Sequence, residues 1–316
     1  MYSPICLFTY NRLPETQQTL SALRCNYLAE ASDLFIFSDG AKTDEAWVRV
    51  QAVREFLRTI DGFKSVQIIE AEQNKGLAQS IISGVTRILS QYDRVIVLED
   101  DLITTPNFLD FMNQALDEFQ NEQHIQSISA YSLLLKNIKK EMYFQQRPGS
   151  WGWATWSDRW NPDVFNKKRI QNQLTESPGI LKRFKQSCGN DIPRMLLGSL
   201  MGRNDSWYVR WAFDHFRNNR YSVYPACTYV QNIGFSDSGT HCKGINTYHS
   251  VLVNTQKRTY PSVPFSPPDR REHKEFLHYF TRFHKLIERL KLLKTRNGQR
   301  LLVQEFNSRI GKVITS

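Results

Sequence analysis

The sequence predicts an α/β fold built on a mostly parallel sheet, and three features of its first hundred residues indicate this. Short apolar runs alternate with longer amphipathic stretches, which is typical of repeated strand–helix–strand units. Polar residues directly follow most of these runs or lie in the loop just after them. Right-handed crossovers would bring those strand ends to one edge of the sheet, where open α/β sheets bind ligands.

The pattern places the elements in order along the chain. We expect strands at residues 5–8, 34–37, 66–69, 94–98, 125–130 and 221–224. We expect helices at residues 14–27, 44–60, 76–91 and 107–120, and a polar helical stretch that ends near residue 189. A Pro-rich joint at 261–269 then predicts two parts: a domain over 1–260 and a helical appendage over 261–316.

Composition narrows the class of protein. The 316 residues carry a formal net charge of +10, but from residue 269 onward twelve Lys or Arg face five Asp or Glu. The rest of the chain is nearly balanced, which argues against nucleic acid as a partner. The chain has no run of 18 apolar residues, so no membrane span is predicted. Five Cys without a CxxC pair indicate reduced thiols and a cytoplasmic location.

The basic appendage contains an apolar stripe at helical spacing. It is formed by Phe276, Phe280, Phe283, Ile287 and Leu290, with Lys and Arg around it. This pattern predicts one amphipathic helix. Such a helix could pack on the body or on another subunit, or it could lie on an anionic membrane as a peripheral contact at the inner face.

Four polar segments should meet at the carboxyl edge of the sheet. They are residues 9–12, 38–40, 74–76 and 99–101, which read TYNR, SDG, NKG and EDD. One acidic loop would be unremarkable on a protein surface. Four convergent polar segments predict a binding site.

The acidic triplet Glu99, Asp100 and Asp101 follows the apolar run of the fourth strand. Adjacent carboxylates repel, so the segment is either a solvated loop or a site for a cation. Carboxylate oxygens suit Mg²⁺ or Mn²⁺, which also bind substrate phosphates. The chain has neither GxxxxGK[ST] nor GxGxxG after its first strand, which excludes a P-loop and leaves a dinucleotide site unsupported. The pattern therefore favours the diphosphate of a nucleotide-sugar.

Two segments resemble a known family. VIVLEDDLITTPNFLDFM, at 95–112, resembles the metal-binding strand of GT-A fold glycosyltransferases, and in particular the β-1,2-N-acetylglucosaminyltransferase I group. PGSWGW, at 148–153, resembles the Gly-Trp loop of that family, and the resemblance covers about residues 3–242. It implies inverting, metal-dependent transfer of a hexosyl or N-acetylhexosaminyl group from a UDP-sugar to a hydroxyl. The acceptor would be a glycan or a lipid-linked glycan.

The resemblance also assigns roles to the polar residues. Arg12 would contact the nucleotide and Asp39 would read the uracil edge. Glu99 would contact the sugar, Asp100 the ribose or the metal shell, and Asp101 the metal itself.

Other positions complete the predicted donor site. We expect Thr9, Gly152 and Trp153 to contact the donor, with Asn74 near the base and Lys75 near the phosphates. Each has a simpler interpretation. Asp39 could serve the turn at Gly40, residues 74–76 could form a plain helix entry, and the Trp residues of the loop could be core.

The catalytic base is predicted from the text NDSWYVRW. In the family the base is an Asp just before a Trp, which favours Asp205, with Asp214 as the alternative. His241 matches a C-terminal His that would face the metal or the diphosphate, although it could equally be a surface residue.

Two other classes of function stay open. A nucleotidyltransferase would share the sheet and the metal, but its first loop is usually rich in Gly and Lys or Arg, whereas this one reads TYNR. A glycan-binding protein could retain the fold without catalysis.

Overall fold

A computed structural model describes residues 2–136, 138–235, 252, 256–296, 298–300 and 302–303. Its ten strands within these residues are β1 Ile5–Thr9, β2 Asp33–Ser38, β3 Ser65–Glu70, β4 Arg94–Glu99, β5 Leu102–Thr104, β6 Ile125–Ser129, β7 Met142–Gln145, β8 Trp153–Trp156, β9 Tyr221–Pro225 and β10 Val230–Asn232. The helices of the same residues are α1 Leu13–Arg24, α2 Asp44–Leu57, α3 Leu77–Leu89, α4 Phe108–Glu118, α5 Lys167–Glu176, α6 Ile180–Cys188, α7 Ile192–Leu200, α8 Trp207–Arg217, α9 Arg270–His278 and α10 Arg282–Leu292.

Eight strands form one mixed sheet in the order β3-β2-β1-β4-β8-β6-β9-β7. The first four are parallel to one another, and β6 and β9 run in the same direction. Strands β8 and β7 are antiparallel to their neighbours. The predicted mostly parallel α/β sheet is therefore confirmed. Strands β5 and β10 form a separate two-stranded antiparallel sheet.

Helices cover both faces of the sheet, which explains why its strands are apolar at consecutive positions. Along β1, Ile5 and Leu7 enter the core beneath α1, α2 and α4, while Cys6 and Phe8 enter the core beneath α3 and α8. A third cluster joins α5 to α8 beside the sheet. Burial on both faces fixes the orientation of the side chains along each strand. The parallel pairing then determines which residues reach the carboxyl edge.

The chain between α4 and the Pro-rich joint differs most from the sequence-based expectation. Strands β7 and β8 were not predicted, because Trp-rich and short segments give no clear period of two. Helix α8 was also not predicted. Its Trp207 and Trp211 face the sheet and pack on Trp153, with ring centroids 5.2 and 4.5 Å apart. The polar stretch before residue 189 forms two helices, α5 and α6, which separate at Pro178 and Gly179.

The C-terminal stripe is divided between two helices, so the prediction of one amphipathic helix is wrong. Helix α9 ends at His278, and the side chain of Thr281 caps the start of a new helix, α10. Phe276 in α9 is fully buried against Tyr143 and Tyr224 of the sheet, whereas Phe283 in α10 is 64% exposed. None of the described helices is both long and apolar enough to cross a bilayer.

The buried core also crosses the proposed domain boundary at residue 260. Tyr260 and Val263 are buried in the same cluster as β1 and α4, and Phe265 packs against that cluster. The division into 1–260 and 261–316 therefore separates segments that share one core.

His215 on α8 is a buried titratable group that the core holds neutral. Its Nε2 lies 2.9 Å from the Ser127 hydroxyl and its Nδ1 lies 3.0 Å from the Trp211 carbonyl oxygen. Burial lowers the pKa of His215 from 6.5 to about 3. Between these two values the unfolded chain binds a proton that the native protein does not, so stability falls as the pH falls.

We predict that His215→Gln removes this part of the pH dependence. From pH 7 to pH 5 the wild-type protein should lose up to about 2 kcal/mol of unfolding free energy through this residue. Urea unfolding at the two pH values measures the difference. Equal pH dependence in the two proteins would show that His215 is not kept neutral by the fold.

Candidate active site

The carboxyl ends of β1, β2 and β4 lie side by side. Thr9 pairs with Ser38 across β1 and β2, and Phe8 pairs with Glu99 across β1 and β4. Strand β8 runs the other way, and Val97 pairs with Trp153, so the loop that precedes β8 reaches the same edge. The register thus brings the TYNR, SDG and EDD segments to one edge, as the sequence predicted, and the Gly-Trp loop also reaches this edge.

Arg12 lies between two carboxylates at this edge. Its Nη2 donates to Asp100 Oδ1 and, over 3.0 Å, to Asp101 Oδ2. The backbone around the pair is also held, because the Tyr10 N–H donates to Asp100 Oδ2 over 3.3 Å and the Thr19 hydroxyl donates to the Asp100 carbonyl oxygen over 2.9 Å. Both carboxylates are therefore directed toward one position, where a positive charge now sits.

Burial makes this acidic group costly to ionise. It raises the pKa of Asp100 to about 6, in spite of the attraction of Arg12. Desolvation, followed by repulsion from Asp101 and Asp100, raises the pKa of half-buried Glu99 to about 8. Burial also raises the pKa of Asp101. One guanidinium does not fully compensate three carboxyl groups, and an added cation would lower all three pKa values.

The residues present fit a hard divalent ion that shares its ligands with a substrate. Asp100 and Asp101 supply two carboxylates aimed at one point, and Mg²⁺ is commonly bound by one or two carboxylates plus water and phosphate oxygens. Within the described residues, no group of three or more His, Cys, Asp or Glu side chains converges to hold a metal. His241, the further predicted ligand, lies outside the described residues.

Gly234, two residues after β10, covers Asp101. The Ile233 N–H donates to the Asp101 carbonyl oxygen over 2.9 Å and so extends the pairing of β10 with β5. A Cβ atom at Gly234 would lie 2.0 Å from Asp101 Oδ2, so any other residue would displace the Asp101 carboxylate. Gly234 was not predicted as a site residue, because the text NIGF carries no spacing that links it to a residue 133 positions earlier.

Asp39 organises the loop before α3. Its two carboxylate oxygens accept from the N–H groups of Gly40, Lys75 and Gly76 and from the Asn74 side-chain amide, over 2.8 to 3.0 Å. These contacts therefore agree with the turn role that the sequence left open for Asp39. The Asn74 amide also donates to the Gly40 carbonyl oxygen, while the side chain of Lys75 points to solvent at the same edge.

Thr9 ends β1 beside this loop and presents an unusual hydroxyl. The residue is 4% exposed, and its Oγ1 has no hydrogen-bond partner among the described residues. Buried hydroxyl groups are normally paired, so the Thr9 hydroxyl is a candidate partner for a ligand at this edge.

The Gly-Trp loop contributes a different Trp from the one predicted. Trp153 is fully buried, and its ring stacks within the Trp160, Trp207 and Trp211 cluster, so the expectation that its side chain faces the donor is not supported. Trp151 is half-buried at the edge and contacts the rings of Tyr131 and Phe235 at centroid distances of 4.6 and 5.7 Å. Trp151 precedes β8, and the turn at Gly152 separates it from Trp153, the first residue of that strand.

Gly152 sets the path of this loop. Its φ of +62° lies in the region that favours glycine, and its carbonyl oxygen accepts from the Ala130 N–H over 2.7 Å. A Cβ atom there would lie 3.2 Å from both Ala130 and Phe108. Gly152 therefore holds Trp151 at the carboxyl edge through its backbone.

The two candidate bases lie at opposite ends of α8. Asp205 directly precedes the helix cap Ser206, and its Oδ2 lies near Gly76, 3.8 Å from the position of a Cβ atom there. Asp214 lies two turns further on and accepts from Gln126 Nε2 over 2.7 Å, near the amino end of β6. Asp205 is at the carboxyl edge with the other polar groups, and Asp214 is not.

The fold and this edge define an α/β protein with a pair of buried carboxylates at the carboxyl edge of its sheet. The model of the family described as "Glycosyl transferase family 2" matches residues 5–184, which is more than half of the chain. The chain therefore belongs to glycosyl transferase family 2 and has the GT-A fold. The narrower resemblance to the β-1,2-N-acetylglucosaminyltransferase I group stays a prediction.

Other comparisons give only distant similarity. The crystal structure of S. aureus TarS 1–349 aligns with 11% identity. The structure of the mannosyltransferase PcManGT from Pyrobaculum calidifontis, in complex with GDP-Man and Mn²⁺, also aligns with 11% identity. TarS 1–349 aligns over 74% of this chain and 61% of its own, with a TM-score of 0.41, and PcManGT over 69% and 74%, with a TM-score of 0.37. The chain thus spans less than two thirds of TarS 1–349. No curated protein matches it.

Proposed function

We propose that this protein transfers a sugar from a nucleoside-diphosphate sugar, a UDP-hexose or UDP-N-acetylhexosamine, to a hydroxyl of a glycan or lipid-linked glycan. The observation that carries the proposal is the convergence of Asp100 and Asp101 on one position at the carboxyl edge of a family 2 glycosyltransferase fold. A charged diphosphate with its cation matches that arrangement in both charge and place.

Asp100 and Asp101 would hold Mn²⁺ or Mg²⁺. Such an ion neutralises a diphosphate and makes it a better leaving group. Arg12 would contribute positive charge beside the phosphates. Thr9 and the loop held by Asp39 would contact the nucleoside, and Glu99 and the backbone of Gly152 would face the sugar.

Asp205 is proposed as the base of a single in-line displacement. Its carboxylate is 55% exposed and lies 3.4 Å from the Arg210 guanidinium, so it can reach an acceptor that enters from solvent. Asp205 takes the proton of the acceptor hydroxyl while that oxygen attacks the anomeric carbon. The bond from that carbon to the UDP oxygen breaks, and the configuration inverts.

Metal dependence is the first test. Mn²⁺ should tighten UDP binding to the wild-type protein, and Asp101→Asn should lose most of this gain, with a dissociation constant at least about ten-fold weaker, because one of two carboxylates facing the cation is neutralised. Asp93→Asn, at the exposed amino end of the same strand, is the matched control. Calorimetry with UDP in Mn²⁺ and in EDTA measures the difference, and equal affinity in both solutions would contradict the metal site.

The role of Asp205 is tested separately by catalysis. Asp205→Asn should lower acceptor-dependent UDP release about 10²- to 10⁴-fold, since general-base catalysis contributes that range. Its UDP affinity should remain unchanged, and Asp214→Asn should retain activity. A panel of UDP-sugars and short glycan acceptors supplies the assay. If Asp214→Asn lost activity and Asp205→Asn kept it, the assignment would be reversed.

We also propose that the protein is cytoplasmic and that helix α10 rests on the anionic inner face of the membrane. Phe283, Leu286 and Leu290 are 64%, 54% and 51% exposed on one side of the helix, and Leu293 continues the stripe at 51%. Cationic side chains flank it: Arg282, Arg289, Lys291 and Lys294. Apolar area together with basic charge is the combination that binds anionic lipid surfaces.

We predict that Phe283→Asp with Leu290→Asp weakens sedimentation with phosphatidylglycerol-containing vesicles at least about ten-fold. Val48→Asp with Leu134→Asp, at two other exposed apolar positions, should leave binding unchanged. Light scattering detects the alternative, in which the stripe joins two copies of the chain. If the wild-type protein dimerises and does not bind vesicles, the membrane contact is refuted.

A further inference from the structure

A cavity lies beside the carboxyl edge and was not predicted from the sequence. It has a volume of about 130 Å³ and lies between the Gly-Trp loop, the start of α8 and helix α9. Its walls include Tyr131, Trp151, Tyr208, Tyr224, Phe276 and Phe280.

The cavity adjoins the proposed transfer site on two sides. Trp151 contacts Phe235, the residue after Gly234, and Gly234 lies against Asp101. Tyr208 lies in the first turn of α8, three residues after Asp205. An acceptor that presents its hydroxyl to Asp205 would therefore have its next group close to this cavity.

The polar atoms of the walls are largely bonded to one another. Arg147 Nε donates to the Tyr208 hydroxyl over 2.9 Å, and that hydroxyl donates to the Pro148 carbonyl oxygen over 3.1 Å. The Tyr224 hydroxyl donates to the Arg147 carbonyl oxygen over 2.7 Å. The Arg147 guanidinium also pairs with Asp191 over 2.7 Å. These groups offer ring faces to an occupant, while their donors are already engaged.

Helix α9 and the turn that follows it close the cavity on the side that leads to α10. The Phe280 ring centroid lies 3.6 Å from the Arg147 guanidinium carbon, and the Phe276 ring packs 5.4 Å from that of Tyr224. One short link at Thr281 then joins α9 to the exposed apolar stripe of α10. The same C-terminal segment thus provides one wall of the cavity and the surface suited to lipid.

We infer that the cavity binds the apolar chain of a lipid-linked acceptor, next to the sugar that receives the transfer. The inference rests on the proposed function, and it selects the lipid-linked acceptor over a free glycan. An apolar cavity of about 150 Å³ holds benzene, so this one suits a chain segment of about six carbon atoms. Aromatic walls whose polar groups are internally bonded favour such a chain over the hydroxyl groups of a second sugar.

The test compares hexyl and methyl β-D-glucoside, which share a sugar and differ in the length of the chain. Binding is measured by Trp fluorescence without donor or metal. Hexyl glucoside should bind at least about ten-fold more tightly than methyl glucoside, because each buried methylene adds roughly four-fold in affinity. Ser150→Leu, which fills the cavity from its rim, should remove this preference. Ser177→Leu, at a half-buried loop serine away from the cavity, should keep it.

Two further variants locate the binding. Phe280→Ala removes part of one wall and should weaken hexyl glucoside at least about ten-fold. Phe283→Asp with Leu290→Asp alters only the α10 surface and should not change its affinity. Circular dichroism confirms that each variant is folded.

Three results would overturn the inference. They are no binding of hexyl glucoside, equal binding of methyl glucoside, and hexyl binding that survives both Ser150→Leu and Phe280→Ala. UDP titration with Mn²⁺ on the same variants separates the two proposals. Ser150→Leu should bind UDP normally. If the cavity inference fails while UDP binding is intact, the glycosyl transfer proposal is unaffected.

Discussion

The contact on which the rest of the site depends is that of Arg12 with Asp100 and Asp101. Two neighbouring carboxylates, both nearly buried, would repel each other strongly without a cation between them. Arg12 supplies that charge from the end of β1, and the parallel pairing of β1 with β4 places it there. The need for compensation links the order of the strands to the chemistry, because a different strand beside β4 would leave the acids unpaired.

The same edge is held by backbone contacts that cannot be varied freely. Asp39 fixes the loop before α3 through three hydrogen bonds, and Gly234 fits against Asp101 because it lacks a side chain. Gly152 holds the Gly-Trp loop in a conformation that other residues rarely adopt. Each loop reaches the edge with little freedom, so groups from distant parts of the chain meet with defined geometry, as a site for binding and orientation requires.

The C-terminal segment is joined to the domain through its aromatic residues. Tyr260 and Phe276 are buried in clusters that include the sheet, and Phe280 lies over Arg147. Helix α10, by contrast, exposes its apolar side. A segment that is buried at one end and exposed at the other can connect a site on the domain to a surface outside it, which is the arrangement that a lipid-linked acceptor would require.

The sequence by itself determined the parallel half of the sheet, the helices that follow its strands, and the convergence of Arg12 with the acidic triplet. These features depend on local periodicity and on the chirality of crossovers, both of which act over short stretches of chain. Only the tertiary structure decided that Trp151 and not Trp153 faces the edge, that Asp205 and not Asp214 lies there, and that Gly234 covers Asp101. It also divided the C-terminal stripe between a buried and an exposed helix. Those outcomes depend on which distant segments pack together, and a linear pattern carries no record of its packing partners.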